Sequence, residues 1–288
     1  MDIKTLQNFL KIPETDQFDE FTEAALRQYQ IKHNINPTGK LDQPTVKYLE
    51  LQREGTLDSD LRYNTKIVKH YMNTNEYMYN DESKYAIFLH HTAGWDNPYG
   101  VIDMWERDTR GPVGTAYVIG GDSVSGTSKY NGVIVECFEP KKSFAWHLGI
   151  GNTDLHRRSI GIELCNFGFL QNGKTYTGQK VNENQISKLK EPFRGYSEYH
   201  KYSDEQLNSL KYLLQYIGEI TGIDITLGLQ KRLKLFKNAN KAFEYDPTIS
   251  NGSVGLYSHT NVSPGKNGSY SKWDVYPQPE LIDLIKSL

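Results

Sequence analysis

The pattern of hydrophobic and polar positions changes character near residue 66. Upstream, "FDEFTEAAL" (18–26) and "LDQPTVKYL" (41–49) repeat one arrangement: an aromatic or aliphatic residue, then Asp, then Thr and Leu at matching offsets. Each reads as the capped start of a short helix. Asp19 or Thr22 can cap the first, and Asp42 or Gln43 the second, with Pro44 in its first turn. Leu26, Tyr29 and Gln30 continue one face until Asn34 and Gly39 break the chain. The polar stretch 51–65 predicts a connector. Downstream, β-branched and apolar runs predict strands at 84–90, 116–120, 132–138 and 159–165. Ser203-Asp204-Glu205-Gln206 reads as a capping box, followed by an apolar stripe (Leu207, Leu210, Leu214, Ile217, Ile220) that stops at Gly222. A last helix starts near Pro279 and presents Leu281, Ile282, Ile285 and Leu288. The expected class is α/β: a mixed central β-sheet flanked by helices, preceded by a small helical domain.

Composition narrows the function. The 288 residues carry 33 Lys+Arg against 35 Asp+Glu, so the chain lacks the basic field that nucleic-acid binding needs, and no nucleic-acid partner is expected. Only two cysteines occur, Cys137 and Cys165, which read as small buried thiols rather than a disulfide scaffold or CxxC metal site. The N-terminus lacks the basic and apolar regions of a secretory signal, and there is no apolar run of about 18 residues. Synthesis in the cytoplasm without membrane insertion is the expectation, and a monomer is expected.

The chemistry gathers around "IFLHHTAGW" (87–95), an apolar run ending in two histidines. A strand alternates its side chains, so His90 and His91 cannot both face one site. A second candidate group, His259, Lys272 and Asp274, lies in the Gly/Pro/Ser-rich stretch 255–279. Two imidazoles plus a carboxylate, with a fourth position left for water, is the composition of a catalytic rather than a structural zinc site. In "SIGIELC" (159–165), Ile160, Ile162 and Leu164 share one face while Gly161, Glu163 and Cys165 share the other. A carboxylate beside a glycine, opposite the aliphatics, suits a substrate cleft.

Two resemblances sharpen this. Leu6-Gln7, Phe18, Thr22, Ala25, Tyr29-Gln30, Thr38-Gly39, Leu41-Asp42 and Thr45 resemble the three-helix peptidoglycan-binding domain, with Asp19 and Gln17 standing where glycines are usual. That similarity implies a wall-binding domain over 1–52 and a linker over 53–65. The ordered motifs "FLHHTAG", "AWHLG", "SIGIELCN" and the stretch from "SHTNVSPGK" to "KWDVYP" resemble the zinc-dependent N-acetylmuramoyl-L-alanine amidases, the family of phage T7 lysozyme and the peptidoglycan recognition proteins. The similarity spans 66–288, with 184–250 looking like a family-variable insertion.

The resemblance implies peptidoglycan as substrate, Zn2+ as cofactor, and His90, His259 and Asp274 as its ligands, although Val275-Tyr276 intervenes before Pro277. It implies an acid/base role for Glu163, and Lys272, two residues before Asp274, is placed to stabilise an oxyanion as it develops. His147 and Trp95 fall to the substrate groove, where Trp146 could also stack on sugar or peptide. So does Thr115, at a position where some members carry a tyrosine; neighbouring Ala116 stands where His is common. A phage endolysin, reaching the wall after holin-mediated release, fits a wall-binding domain joined to an amidase without a signal. The alternatives are a recognition protein that binds peptidoglycan without cutting it, and a zinc peptidase of the stem peptide. The intact Asp274 argues against the first, and the absence of an SxHxxGxAxD arrangement against the second.

Overall fold

The structure is a computed structural model that describes residues 2–10, 12–32, 37–43, 45–46, 49, 67–264 and 272–288, with only the backbone of Ile31 and Lys32. Asn34, Pro44 and the linker expected at 53–65 lie outside the described residues. The chain divides into two compact units, 1–65 and 66–288. No helix among the described residues is long and apolar enough to cross a membrane.

In the first unit, α1 (Ile3–Phe9) is capped by Asp2 and α2 (Glu20–Lys32) by Asp19, whose carboxylate accepts from the Thr22 amide at 2.8 Å. Residues 43, 45, 46 and 49 are also helical. Leu6, Leu26 and Leu49 form a fully buried centre. Such a small apolar core is supplemented by a polar device built twice. Buried Gln7 donates to Thr15 Oγ1, the Gln17 carbonyl and Thr22 Oγ1, while its own Oε1 accepts from the Asp16 amide. Buried Gln30 does the same with Thr38, Lys40, Thr45 and Gly39. Every hydrogen-bonding atom of each amide is satisfied, which burial demands. The equivalent turn residues Asp16 and Gly39 both have left-handed φ, 58° and 69°. The position that wants glycine in the first copy is therefore Asp16, not Gln17 as the motif alignment suggests.

In the second unit the strands are β1 (Ile67–Lys69), β2 (Met78–Tyr79), β3 (Ala86–His91), β4 (Tyr117–Ile119), β5 (Ile134–Glu136), β6 (Ser143–Phe144), β7 (Ser159–Leu164), β8 (Ile186–Phe193), β9 (Tyr196–His200) and β10 (Gly255–Ser258). The helices are α3 (Pro98–Trp105), α4 (Thr153–Arg157), α5 (Asp204–Thr221), α6 (Leu229–Leu235), α7 (Ala239–Phe243) and α8 (Pro279–Lys286). Six strands form one sheet in the order β1-β5-β4-β7-β3-β10. All its pairs are parallel except β4 with β5. Every residue of β3 and β7 is buried, the pattern of a sheet covered on both faces. On one face Ile87, Leu89, Ile160, Ile162 and Leu164 pack with Leu210 and Leu214 of α5 and Leu281 and Ile285 of α8 in the main core. On the other, Ala86 and Phe88 join Leu148, Leu155 and Tyr257.

Helix α5 lies within the 184–250 stretch that looks like a family-variable insertion, and it is nonetheless built into the core. Leu207, Leu210, Leu213, Leu214 and Ile217 are buried in the main core, so this stretch is part of the central packing. Its capping box is only half formed. Ser203 accepts from the Gln206 amide at 3.0 Å, but the Gln206 side chain donates to the Ile119 and Cys165 carbonyls at the ends of β4 and β7. Gly222 ends the helix in the left-handed conformation, as its position in the sequence suggests. Cys137 and Cys165 are buried and unpaired.

Ser203 holds both the α5 amide and, through its hydroxyl hydrogen, Asn131 Oδ1. Ser203→Ala is expected to lower the unfolding free energy by about 1–2 kcal/mol, measured by urea denaturation.

Candidate metal centre

Four segments meet at the carboxyl ends of the parallel strands, where α/β sheets bind their ligands. His90 lies near the end of β3, in register with Glu163 on β7, so the two side chains project from the same face. His259 follows β10 directly, in a turn closed by Asn261, whose Oδ1 accepts from the Ser258 amide and hydroxyl. The Thr260 amide donates to the Asp274 carbonyl at 3.0 Å and draws the 272–276 stretch alongside.

His90 Nδ1 lies 3.0 Å from His259 Nδ1 and 3.5 Å from Asp274 Oδ2, and His259 Nδ1 lies 2.8 Å from the same oxygen. This is the one cluster of three or more His, Cys, Asp or Glu side chains among the described residues that could hold a metal ion. All three residues are buried.

The hydrogen bonds around the cluster decide where its protons are. Ser159 Oγ donates to the Leu155 carbonyl, so it accepts from His147 Nε2 at 3.0 Å. With that proton on Nε2, His147 Nδ1 is an acceptor, and it takes a hydrogen bond from His90 Nε2 at 3.0 Å. His90 Nδ1 is then bare. His259 Nε2 donates to the Leu148 carbonyl at 2.8 Å, so in its neutral form this ring also presents a bare Nδ1. Burial, reinforced by His259, lowers the pKa of His90 to about 4, so its ring is neutral near pH 7. Three acceptor atoms thus face one point with no proton between them, an arrangement that a cation relieves. The donor set fits a divalent metal bound through both Nδ1 atoms and one carboxylate oxygen.

These residues line a cleft of about 450 Å³ that also includes Glu163 and Lys272. Burial, with the charge of Asp274 adding to it, raises the pKa of Glu163 to about 8. Lys272 reaches across the cleft, its Cε 3.8 Å from where a Cβ on Gly149 would stand.

A family model described as N-acetylmuramoyl-L-alanine amidase matches residues 80–230, more than half of the chain. The chain belongs to this amidase family. A second model, for a peptidoglycan binding domain, matches residues 2–49. Among solved structures, an endolysin mutant from Bacillus subtilis is 13% identical with TM-score 0.34, covering 56% of this chain and 79% of that one. The amidase AmiD of E. coli, in complex with an anhydro-N-acetylmuramic acid peptide, is 21% identical with TM-score 0.32, covering 50% and 46%. Both TM-scores are low, and the family assignment rests on the sequence match alone. Metalloendoproteinase 2-MMP of Arabidopsis thaliana is 39% identical over 61 residues, 19% of this chain; the chain thus spans only 16% of that curated relative.

The stretch matched by the amidase model contains His90, His147 and Glu163 but stops before His259 and Asp274, which the fold itself brings in. His91 is on the opposite face of β3, where Nδ1 meets Tyr202 Oη at 2.8 Å; it borders the cleft without joining the three converging atoms. Thr115 lines the cleft, but its hydroxyl is committed as a donor to the Tyr117 carbonyl. Gly161 makes room for it: a Cβ there would lie 2.7 Å from Thr115 Cγ2 and 3.0 Å from His147 Nδ1. Trp95 does not line the cleft; it is 52% exposed and packs edge-on against Phe167, which does. Trp146 is among the lining residues. Sequence reading missed Ser159, whose part in fixing the tautomers appears only through contacts with residues distant in the chain. It also missed Arg194, marked in the sequence only by an Arg-Gly pair between two strands.

The raised pKa of Glu163 gives a stability signature in the metal-free protein. Its folded value of about 8 exceeds the ordinary 4.5, so its destabilisation is absent below pH 4.5, grows as pH rises, and is complete above pH 8. Glu163→Gln lacks this term. The Tm of that variant minus the wild-type Tm, measured without metal, is expected to increase between pH 5 and 8 and then level off; a pH-independent difference would contradict the burial of an ionisable group there.

Proposed function

We propose that this chain is a peptidoglycan hydrolase that cleaves the amide bond between the lactyl group of N-acetylmuramic acid and the L-alanine of the stem peptide, with zinc held by His90, His259 and Asp274. The observation carrying this reading is the convergence of two imidazole nitrogens and one carboxylate oxygen in an open cleft. Three protein ligands with a position left for solvent distinguish catalytic from structural zinc sites. Bound there, zinc supplies a water acidic enough to ionise near neutral pH and polarises the scissile carbonyl.

The remaining work falls to the protein. Glu163, as the carboxylate, takes the proton of the attacking water and, as the carboxylic acid, hands it to the departing nitrogen. Its burial moves its affinity for a proton toward neutrality, which suits both transfers. The Lys272 ammonium balances the negative charge that develops on the carbonyl oxygen. His147 and Thr115 line the substrate groove, and Trp95 stands at its rim. His147 has both ring nitrogens committed, so it offers the substrate its ring edge and a fixed wall.

Residues 1–52 form the wall-binding domain, 53–65 the linker and 66–288 the amidase domain in this reading. Tethering concentrates the catalytic domain on an insoluble polymer. The biological role that fits is that of a monomeric bacteriolytic endolysin acting on the cell wall.

Digestion of purified sacculi tests the reaction: new L-alanine amino termini without new reducing sugar ends are expected. New reducing ends, or no cleavage by zinc-loaded protein, would overturn it. Glu163→Ala is expected to retain zinc and lose about 10²–10⁴-fold in rate, whereas Asp274→Ala loses zinc. Equal zinc loss in both would sink the division of roles. Metal analysis should also separate the two neighbouring histidines, with His90→Ala abolishing zinc binding and His91→Ala preserving it.

A further inference from the structure

The β8–β9 hairpin turns through Arg194 and Gly195, with Phe193 paired to Tyr196 and both turn residues at positive φ, 46° and 92°. Two left-handed residues in a row make the tight hairpin turn that favours Asn-Gly or Gly-Gly, and arginine pays steric strain there. Nor is this arginine solvated as a turn residue usually is, since its side chain is fully buried. A buried guanidinium in a strained backbone persists only where its surroundings hold it.

What it touches is specific. Nη2 donates to the carbonyls of Thr260 at 2.8 Å and Ser263 at 3.2 Å, and Nη1 donates to the carbonyl of Lys272. The Arg194 carbonyl in turn accepts from the Trp273 indole at 3.1 Å. Thr260 directly follows His259, and Trp273 directly precedes Asp274. One side chain therefore grips both stretches that carry the second and third members of the converging cluster. Glu244 stands 3.8 Å from Nε as a counter-charge, and its carbonyl accepts from Asn261, which closes the His259 turn.

We propose that Arg194 is a positioning residue for the metal centre: it fixes the separation of His259 from Asp274, and so sets metal affinity without touching the metal. The inference rests on the zinc-site reading above. Planarity matters to it, because a guanidinium can serve three carbonyls in divergent directions whereas an ammonium is a compact point donor.

The test uses the full-length protein, with zinc affinity measured by chelator competition and the visible absorption of the Co2+-substituted form as a report on ligand geometry. Arg194→Ala is expected to bind zinc about 10–100-fold more weakly, with an altered Co2+ spectrum, and Arg194→Lys to fall between it and wild type. Ser203→Ala, which destabilises the fold at a residue that does not line the cleft, is expected to keep wild-type affinity and spectrum, separating positioning from general loss of stability. If Arg194→Ala does not fold, Arg194→Lys decides. Wild-type affinity and spectrum in the folded Arg194 variants would overturn the inference while leaving the zinc site intact. Failure of the wild-type protein itself to bind zinc would overturn the site reading instead.

Discussion

Three acceptor atoms that repel one another are held within 3.5 Å in the second unit. Left to themselves, two imidazoles would rotate or share a proton. Here the outer nitrogens are committed first: His90 through His147 to Ser159, and His259 to the Leu148 carbonyl. The backbone of α4 and of the segment after Trp146 thereby dictates which side of each ring is bare. The sheet adds the second part of the constraint. Register between β3 and β7 puts Glu163 opposite His90, and the parallel β10 ends where its next residue joins them.

Much of this was legible beforehand because period and punctuation are strong local signals. The buried runs of β3 and β7, the cap at Ser203 and the stop at Gly222 are written in consecutive residues. Strand parity established that only one of His90 and His91 could serve a site. It could not choose between them, since that depends on which face each packing layer covers. The choice came from motif order, and the structure places the two rings on opposite sides of β3. What stayed hidden was contact between distant segments. Gln206 looked like a local cap and instead ties α5 to the strand ends.

The first unit shows a different solution to a similar shortage. Among the described residues of the first unit, the fully buried cluster is Leu6, Leu26 and Leu49, and small domains are marginal because they bury little apolar surface. Two buried glutamines with all their hydrogen bonds made offset part of the deficit and specify the turns as well. The internal echo visible in the sequence is the trace of this duplicated amide clip. Its second copy uses glycine at the left-handed position, and its first tolerates aspartate.

The spacing of the converging side chains has a bearing on the order of events during synthesis. His90 and His259 are 169 residues apart, and Asp274 comes close to the last helix of the chain. A growing polypeptide therefore cannot assemble the centre until it has emerged beyond Asp274. In the proposed reading, the metal would be captured at the end of folding rather than at its start, and its binding would stabilise the finished fold by mass action. In the same reading, a fragment that retains His90 and Glu163 but ends before His259 lacks two of the three side chains that would hold the ion.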